Sequence, residues 1–180
     1  EVIRRLGGAA VALAGGEIYQ SLQSGAIDAT EWVGPWNDLA FGFYREAPDY
    51  YAPGFHEPGA SLSLGVNLDV WNGLSPGDQA MIEYACKSAN NSAIGEYTYM
   101  NAQALEELKV KHGIAPRYFS TEILKRVGEV SDEVVDEFAN TDELTRRIAD
   151  SYFATRNQMR YWTEMSDGRY IAAREAALDR

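Results

Sequence analysis

Hydrophobic positions recur with two periods along the chain, and the first third predicts short strands alternating with helix. Residues 9–14 form a short apolar run suited to a buried strand, and residues 26–29 can form a second. Between them Ile18 and Leu22, four residues apart, predict a helix that Gly25 ends. Apolar strands joined through a helix favour parallel pairing under covering helices, as in α/β proteins.

The rest of the chain predicts mostly helix. Ser75, Pro76 and Asp78 have the residue types of an N-cap, a first helical position and an acidic first turn. From there to Lys111 apolar residues recur at threes and fours, which predicts a helix of about 35 residues, roughly 50 Å long. We expect Lys111, His112 and Gly113 to stop it. Because that exceeds the width of a small domain, we expect this helix to brace two lobes. The other expected elements are a strand over 61–67, a helix over 68–74, a strand over 114–119, helices beginning at Ser120 and Thr141, and a last helix over 172–178 after Gly168.

The first residues look like the end of a helix. Ile3 and Leu6 share one face, and Gly7 and Gly8 can supply a left-handed stop. There is no initiating Met at Glu1, so we expect a fragment or a processed chain. Any targeting signal would then lie upstream.

Composition narrows the class of protein. The 180 residues are 46% apolar, which is enough for a sizeable core and excludes a disordered chain. A net charge of −11 argues against nucleic acid and anionic membranes as partners. One cysteine and two histidines cannot build a His/Cys transition-metal cluster, so any bound metal must be held by oxygen.

Candidate chemistry concentrates in one irregular stretch. Residues 31–60 carry 8 of the 21 aromatic residues and 4 of the 6 prolines, a composition typical of a loop or crossover that carries binding groups. The carboxylate of Glu31 lies beside Trp32, where an ion is costly to bury. It must therefore face solvent, be protonated, or be compensated by a cation. The candidates for chemistry are Glu31, Asn37, Asp38, His56 and Glu57.

Ordinary structural roles compete with each candidate. A loop carboxylate is usually a solvated charge, and Asn37 with Asp38 is most economically the N-cap of a helix beginning at residue 39. His56 and Glu57 are adjacent on an extended chain and so point to opposite faces, which is poor geometry for an acid–base pair. We expect Cys86 to be an inert core thiol. The C-terminal aromatics at helical spacing are expected to be core, with an interface as the alternative.

Three stretches together resemble a known family. They are residues 15–38, GGEIYQSLQSGAIDATEWVGPWND, the pair Tyr50-Tyr51, and residues 54–59, GFHEPG. They resemble the solute-binding proteins of tripartite ATP-independent periplasmic (TRAP) transporters, in particular the branch that binds 2-oxo acids such as pyruvate. The resemblance covers nearly the whole chain. It implies an α/β fold of two lobes, like type II periplasmic binding proteins, with this chain as the C-terminal portion. The implied divisions are part of the second lobe over 1–30, a hinge crossover and first-lobe strand over 31–74, the lobe-spanning helix over 75–112, and a strand with C-terminal helices over 113–180.

The resemblance also implies a binding site. In that branch the residues matching Glu31, Trp32 and Glu57 hold a cation through two carboxylates and the tryptophan carbonyl, and the cation chelates the substrate. Oxygen ligands of this kind select a hard ion, Na⁺ or Ca²⁺, over zinc. An arginine for the substrate carboxylate and a further glutamine ligand would lie upstream of Glu1, and Arg4 and Arg5 do not take that role.

The implied function is capture without reaction. A periplasmic receptor would close two lobes on a small 2-oxo or 2-hydroxy monocarboxylate and deliver it to a TRAP permease in the membrane. The resemblance implies no catalytic residue, and it makes a homodimer through the C-terminal helix an option, beside a helix that folds back on its own core. Two other functions stay open: a metal-assisted hydrolase or lyase using Glu31 and Glu57, and a helical interaction protein that works through residues 120–180.

Overall fold

The computed structural model describes residues 1–55, 59–60 and 62–178, and helix dominates them. The chain divides into two compact units. One unit comprises Val11–Ser120, and the other combines Glu1–Ala10 with Thr121–Arg180. Within the described ranges no helix is long and apolar enough to cross a membrane.

The unit over 11–120 contains four α-helices and one very short sheet among its described residues. Helix α5 is its longest element, with 37 residues. A 3-10 turn, Phe43–Arg45, follows α3. In chain order the elements are α2 (Gly15–Ser24), α3 (Pro35–Phe41), β1 (Tyr51–Ala52), α4 (Leu68–Gly73), α5 (Pro76–His112) and β2 (Arg117–Tyr118).

Capping explains where α5 begins and ends. The hydroxyl of Ser75 accepts a hydrogen bond from the Asp78 amide at 3.2 Å, and Pro76 occupies the first turn. Gly113, with φ of +69°, ends the helix in the left-handed conformation. The predicted start and stop of this helix are therefore confirmed. Its predicted role as a brace between lobes stays a prediction.

The predicted apolar stripe of α5 is buried at one end only. Ala104 and Leu108 lie in the core with exposed fractions of 4% and 1%. Nearer the start of the helix, Tyr97 is partly exposed, and Cys86 is exposed rather than buried. The expectation of a core thiol was wrong, because periodicity identifies a helix face but not what covers it.

Helix α2 has its predicted position, and α3 begins earlier than expected. Gly25 ends α2 with φ of +71°. Helix α3 begins at Pro35 behind Gly34, so Asn37 and Asp38 lie in its first turn and do not cap it. The N-cap prediction was wrong because proline preorganises the first helical position two residues before Asn37.

Most of the predicted strands have no ladder in the described residues. Residues 9–14, 26–29 and 62–67 form neither helix nor strand, and Ser61 lies outside the described residues. The strand predicted over 114–119 is reduced to the two residues of β2, which pairs in parallel with β1. A strand requires hydrogen bonds to a neighbour, and no neighbouring strand lies beside these segments within the described part of the chain.

The second unit is helical in its described part. Its elements are α1 (Val2–Arg5), α6 (Thr121–Ala139), α7 (Glu143–Thr163) and α8 (Arg169–Leu178), with a π-helical segment, Glu164–Gly168, between the last two. Val127 and Val130 are its buried centre on α6. Gly7, with φ of +92°, follows the end of α1. Arg5, the last residue of α1, donates to both carboxylate oxygens of Glu137 on α6.

Two helix boundaries in this unit differ from expectation. Asp142, and not Thr141, caps α7 by accepting from the Thr145 amide at 2.8 Å. No break occurs at Gly168, because the π-helical turn carries the chain from α7 into α8 with helical backbone angles. The C-terminal aromatics expected in a core are Tyr152, Phe153, Tyr161 and Trp162. Phe153 is half-buried, but Tyr152, Tyr161 and Trp162 are exposed, with 56%, 78% and 57% of their surface accessible.

Candidate functional site

The segment from Glu31 to Asp38 forms a loop and the first turn of α3. Gly34 stands at the N-cap with φ of +154°, a conformation that favours glycine. Pro35 follows at the first helical position, and Gly42 ends the helix with φ of +74°. This short helix packs against α5, which holds in place the end of the loop that precedes α3.

Trp32 is half-buried and held by close packing. Its ring centroid lies 5.5 Å from that of Phe41 at an interplanar angle of 59°. A Cβ atom added to Gly15 would lie 2.6 Å from the Trp32 ring. Glycine at the start of α2 therefore lets the indole approach the backbone, and the Trp32 ring contacts residues of both α2 and α3.

Asp38 is a partly buried acid with a specific partner. The hydroxyl of Tyr50 donates to its Oδ2 at 2.6 Å. Burial raises the pKa of Asp38 above its ordinary value, the hydrogen bond from Tyr50 opposes that shift, and the charge of Glu31 raises the pKa further. Burial and the bond to Asp38 also raise the pKa of the Tyr50 hydroxyl. Glu31 is thus near enough to Asp38 to add to the negative potential of this loop.

Three buried polar atoms in this segment have no hydrogen-bond partner in the structure. They are Nε1 of Trp32, Oδ1 of Asn37 and Oδ1 of Asp38. Leaving such a group unpaired costs about 1–3 kcal/mol, so most buried polar atoms in proteins are paired. Unpaired atoms concentrated in seven residues indicate a surface whose polar groups gain partners from a ligand, an ion, water or a further segment of protein.

Asn101 on α5 contacts the start of α3. Its Oδ1 accepts a hydrogen bond from the backbone amide of Trp36 at 3.0 Å, across 65 residues of sequence. One turn earlier on α5, the ring of Tyr97 meets that of Trp36 edge-on, with centroids 5.1 Å apart. Two successive turns of α5 therefore hold the N-terminus of α3.

The predicted ligands are only partly within the described residues. Glu31 is exposed at the beginning of the loop, directly before Trp32. Glu57 and His56 lie outside the described residues. Within the ranges that are described, no three His, Cys, Asp or Glu side chains gather as metal ligands. The groups of this segment that do fit a hard cation are an exposed carboxylate and backbone carbonyls, in a loop of negative potential.

A groove lies elsewhere in the described residues. It has a volume of about 520 Å³ and runs between α5 on one side and α4 with the segment that precedes it on the other. Of the residues weighed in the sequence, only Cys86 contributes to it. Its lining is mainly apolar and includes Leu64, Val66, Leu68, Trp71 and Ile82.

Two contributors to the site were missed in the sequence. Asn101 falls between Tyr97 and Ala104 on the predicted apolar stripe of α5, and a polar residue on such a stripe requires a partner. That was the available signal. Tyr50 was noted in the resemblance, but nothing in the sequence indicates its bond to Asp38, which depends on how the chain folds back.

The chain has the fold of the corresponding part of two-lobed periplasmic solute-binding proteins. The chain belongs to family 7 of the bacterial extracellular solute-binding proteins, whose model matches residues 1–142. It is 35% identical over 170 residues to a monocarboxylate 2-oxoacid-binding periplasmic protein of Nostoc sp., covering 94% of this chain and 46% of that protein. The predicted family and fold class are confirmed.

Solved structures of TRAP periplasmic solute-binding proteins share the fold. One from Colwellia psychrerythraea, with bound calcium and pyruvate, is 34% identical with a TM-score of 0.89 over 96% of this chain and 52% of that one. One from Pseudoalteromonas atlantica, with sodium and pyruvate, is 31% identical with a TM-score of 0.88 over 95% and 52%. A third, from Bordetella bronchiseptica, is a dimer of mixed occupancy with calcium and picolinate. It is 30% identical with a TM-score of 0.94 over 99% and 53%. The chain thus spans about half the length of the relatives it matches.

Proposed function

We propose that this protein is a receptor that captures a small 2-oxo monocarboxylate, of the pyruvate type, together with a calcium or sodium ion. The observation that supports this proposal is the pair of ligands, a carboxylate and a cation, found in related solved structures. Three solved structures at 30% identity or more each hold both a small carboxylate and one of these two cations. A protein with a net charge of −11 gains from such a cation when its ligand is an anion.

The proposed ligand set is the carboxylate of Glu31, the backbone carbonyl of Trp32 and the carboxylate of Glu57. When bound there, the cation would compensate the negative charges of these carboxylates and of the substrate anion. The exposed carboxylate of Glu31 contributes a negative charge directly before Trp32. The packing of the Trp32 ring against Phe41 and Gly15 anchors this residue, so its carbonyl, in the Trp32–Val33 peptide, is ordered at a lower cost on binding.

Polar groups deeper in the loop are suited to complete the binding surface. Trp32 Nε1 can only donate, and Asn37 Oδ1 accepts; both are buried and unpaired. A carboxylate ligand offers acceptors for the indole N–H, and a water molecule bound beside it offers a donor for the amide oxygen. Ligand binding would in this way satisfy both atoms.

The family assignment supports a wider role. We infer that the receptor works in the periplasm, binds its ligand without chemical change, and passes it to a TRAP permease. The exposed aromatic residues Tyr161 and Trp162, near the end of α7, support a second proposal, dimerisation through the C-terminal helices.

Thermal unfolding tests the ligand assignment. In the protein at its full encoded length, pyruvate with calcium or sodium is expected to raise Tm. At a ligand concentration about 100 times Kd, the stabilisation is about 2.7 kcal/mol. The Glu31→Ala and Glu57→Ala variants should lose most of this shift, because each removes a carboxylate from the proposed cation site.

The matched control is Glu17→Ala, which removes an exposed acid from the first turn of α2. It changes the net charge by the same amount as Glu31→Ala and should keep the full shift. Equal shifts in wild type, Glu31→Ala and Glu17→Ala would remove Glu31 from the site. No shift in wild type with any small 2-oxo acid and either cation would contradict the proposed function.

A further inference from the structure

Helix α3 begins without a cap from its own segment. Its N-cap residue is Gly34, which has no side chain to accept a hydrogen bond, and no side chain caps the helix locally. Pro35 has no amide proton, so Trp36 carries the first free N–H of the helix. That N–H donates to Oδ1 of Asn101 on α5, which therefore acts as the missing cap from a distant part of the chain.

The backbone at Gly34 is shaped to admit Asn101. A Cβ atom at Gly34 would lie 3.2 Å from Oδ1 of Asn101, closer than ordinary van der Waals contact. The φ angle of +154° disfavours any larger residue in addition. The glycine thus serves two purposes, a turn into α3 and a close approach of the asparagine.

The contact lies next to the proposed cation loop. Only Val33 separates Trp32, with its proposed carbonyl ligand, from Gly34. The amide that Asn101 binds follows two residues later, at Trp36. Tyr97 packs on Trp36 from the preceding turn of α5, so the same helix fixes both the backbone and the side chain of this residue. A displacement of the α3 N-terminus from α5 would be transmitted directly to the carbonyl of Trp32.

We propose that Asn101 is a positioning residue for anion capture: by capping α3 from α5, it sets the position of the Trp32–Val33 peptide, which carries the proposed carbonyl ligand. This inference rests on the proposed function. It predicts that cation-dependent pyruvate affinity depends on the acceptor atom at position 101, and not merely on the size or polarity of the side chain.

Three substitutions in the protein at its full encoded length test the role of the acceptor. Asn101→Leu keeps a similar volume and removes the acceptor. Asn101→Asp keeps an oxygen in the same place, and its negative charge is tolerated at a helix N-terminus. Gln103→Leu is the matched control, because Gln103 is exposed two residues further along α5.

Calorimetric titration with pyruvate in the presence of calcium is expected to show a loss of about tenfold or more for Asn101→Leu, given the usual cost of an unmade buried hydrogen bond. Asn101→Asp should bind within about threefold of wild type, and Gln103→Leu should match wild type. Hydrogen exchange of the Trp36 amide, measured without ligand, should accelerate in Asn101→Leu alone. Rescue by aspartate is the result that a purely volumetric role would not give.

The outcomes separate the two proposals. Wild-type affinity in Asn101→Leu, alongside faster exchange at Trp36, would overturn the positioning role and leave the receptor function intact. Equal losses in Asn101→Leu and Asn101→Asp would also overturn it, since the acceptor would then not matter. No pyruvate binding by wild type would overturn the proposed function and the positioning role with it.

Discussion

Trp32 can lie against the start of α2 because residue 15 has no side chain. A Cβ atom added to the neighbouring Gly16 would instead meet nothing within 4 Å, so the two glycines differ in kind although they are adjacent in sequence. Gly15 gives close approach, whereas Gly16 only adds backbone freedom. This difference gives a matched pair of substitutions.

We expect Gly15→Ala to displace the Trp32 ring, because its new Cβ would lie 2.6 Å from that ring. The variant should unfold at a lower temperature and bind pyruvate with calcium more weakly. Gly16→Ala should instead gain about 0.5–1 kcal/mol of stability, as alanine does in a helix. Differential scanning calorimetry and pyruvate titration measure both effects. Equal behaviour of the two variants would contradict the close packing of Trp32.

Asp38 gives a prediction about pH. Its folded-state pKa is raised, chiefly by burial, so folding favours the protonated acid. Its contribution to the free energy of unfolding is therefore fully present below the unfolded pKa of about 3.9 and is lost as the pH rises through the folded pKa. The difference in stability between wild type and Asp38→Asn should accordingly shift against wild type over that range of pH.

Carboxyl NMR titration checks the causes separately. Tyr50→Phe should raise the pKa of Asp38 further, because the Tyr50 hydroxyl favours the ionised form. Glu31→Gln should lower it, because the negative charge of Glu31 is removed. Shifts of the opposite sign would show that burial and these two neighbours do not set the titration of Asp38.

At the scale of single residues, the position of the loop could be predicted from the sequence, but the contacts that its residues make could not. The clustering of Glu31, Trp32, Asn37 and Asp38 was visible from aromatic, glycine and proline content, and the segment does gather the unpaired buried atoms. Their partners were not visible, because Tyr50 and Asn101 reach the loop through tertiary folding. The misplaced cap at Asn37 shows a local limit: two cap signals competed, and Gly34-Pro35 prevailed.

Helices were predicted well where caps and periodicity agreed, and strands were predicted poorly. Ser75 and Gly113 mark α5 within one residue, since a cap is a local interaction that the sequence shows directly. Residues 9–14 and 26–29 have strand composition, but a ladder depends on a neighbour that no local pattern specifies. The π-helical turn before Gly168 was missed for a related reason: glycine permits a break without requiring one.

The uneven burial of α5 leads to a prediction about this helix as an element. Leu108 is 1% exposed and Val110 is 72% exposed, two residues apart on the same helix. Leu108→Ala should destabilise the protein by about 2–5 kcal/mol, because it leaves a cavity in the core. Val110→Ala should change stability by less than about 0.5 kcal/mol. Urea unfolding measures both, and a similar cost for the two variants would contradict the placement of α5.

For the molecule as a whole, the proposed function rests more on family membership than on any single contact in the structure. The segments without ladders and the partly exposed face of α5 are observed in a chain that spans about half the length of its relatives. Composition indicated an acidic protein and oxygen ligands for any bound metal. The prediction of a 2-oxo acid as ligand rested on sequence motifs alone, since neither charge nor periodicity distinguishes one small anion from another.

Thermodynamic linkage between cation and anion binding tests whether one ion joins the protein to the substrate. If one ion bridges Glu31, Trp32 and Glu57 to the substrate, calcium must raise the affinity for pyruvate by the same factor by which pyruvate raises the affinity for calcium. Paired calorimetric titrations of the protein at its full encoded length, each ligand with and without the other, measure both factors. We predict equal factors well above one, falling toward one in Glu31→Gln. Pyruvate affinity that is independent of calcium and of sodium would contradict a cation shared by the protein and the substrate.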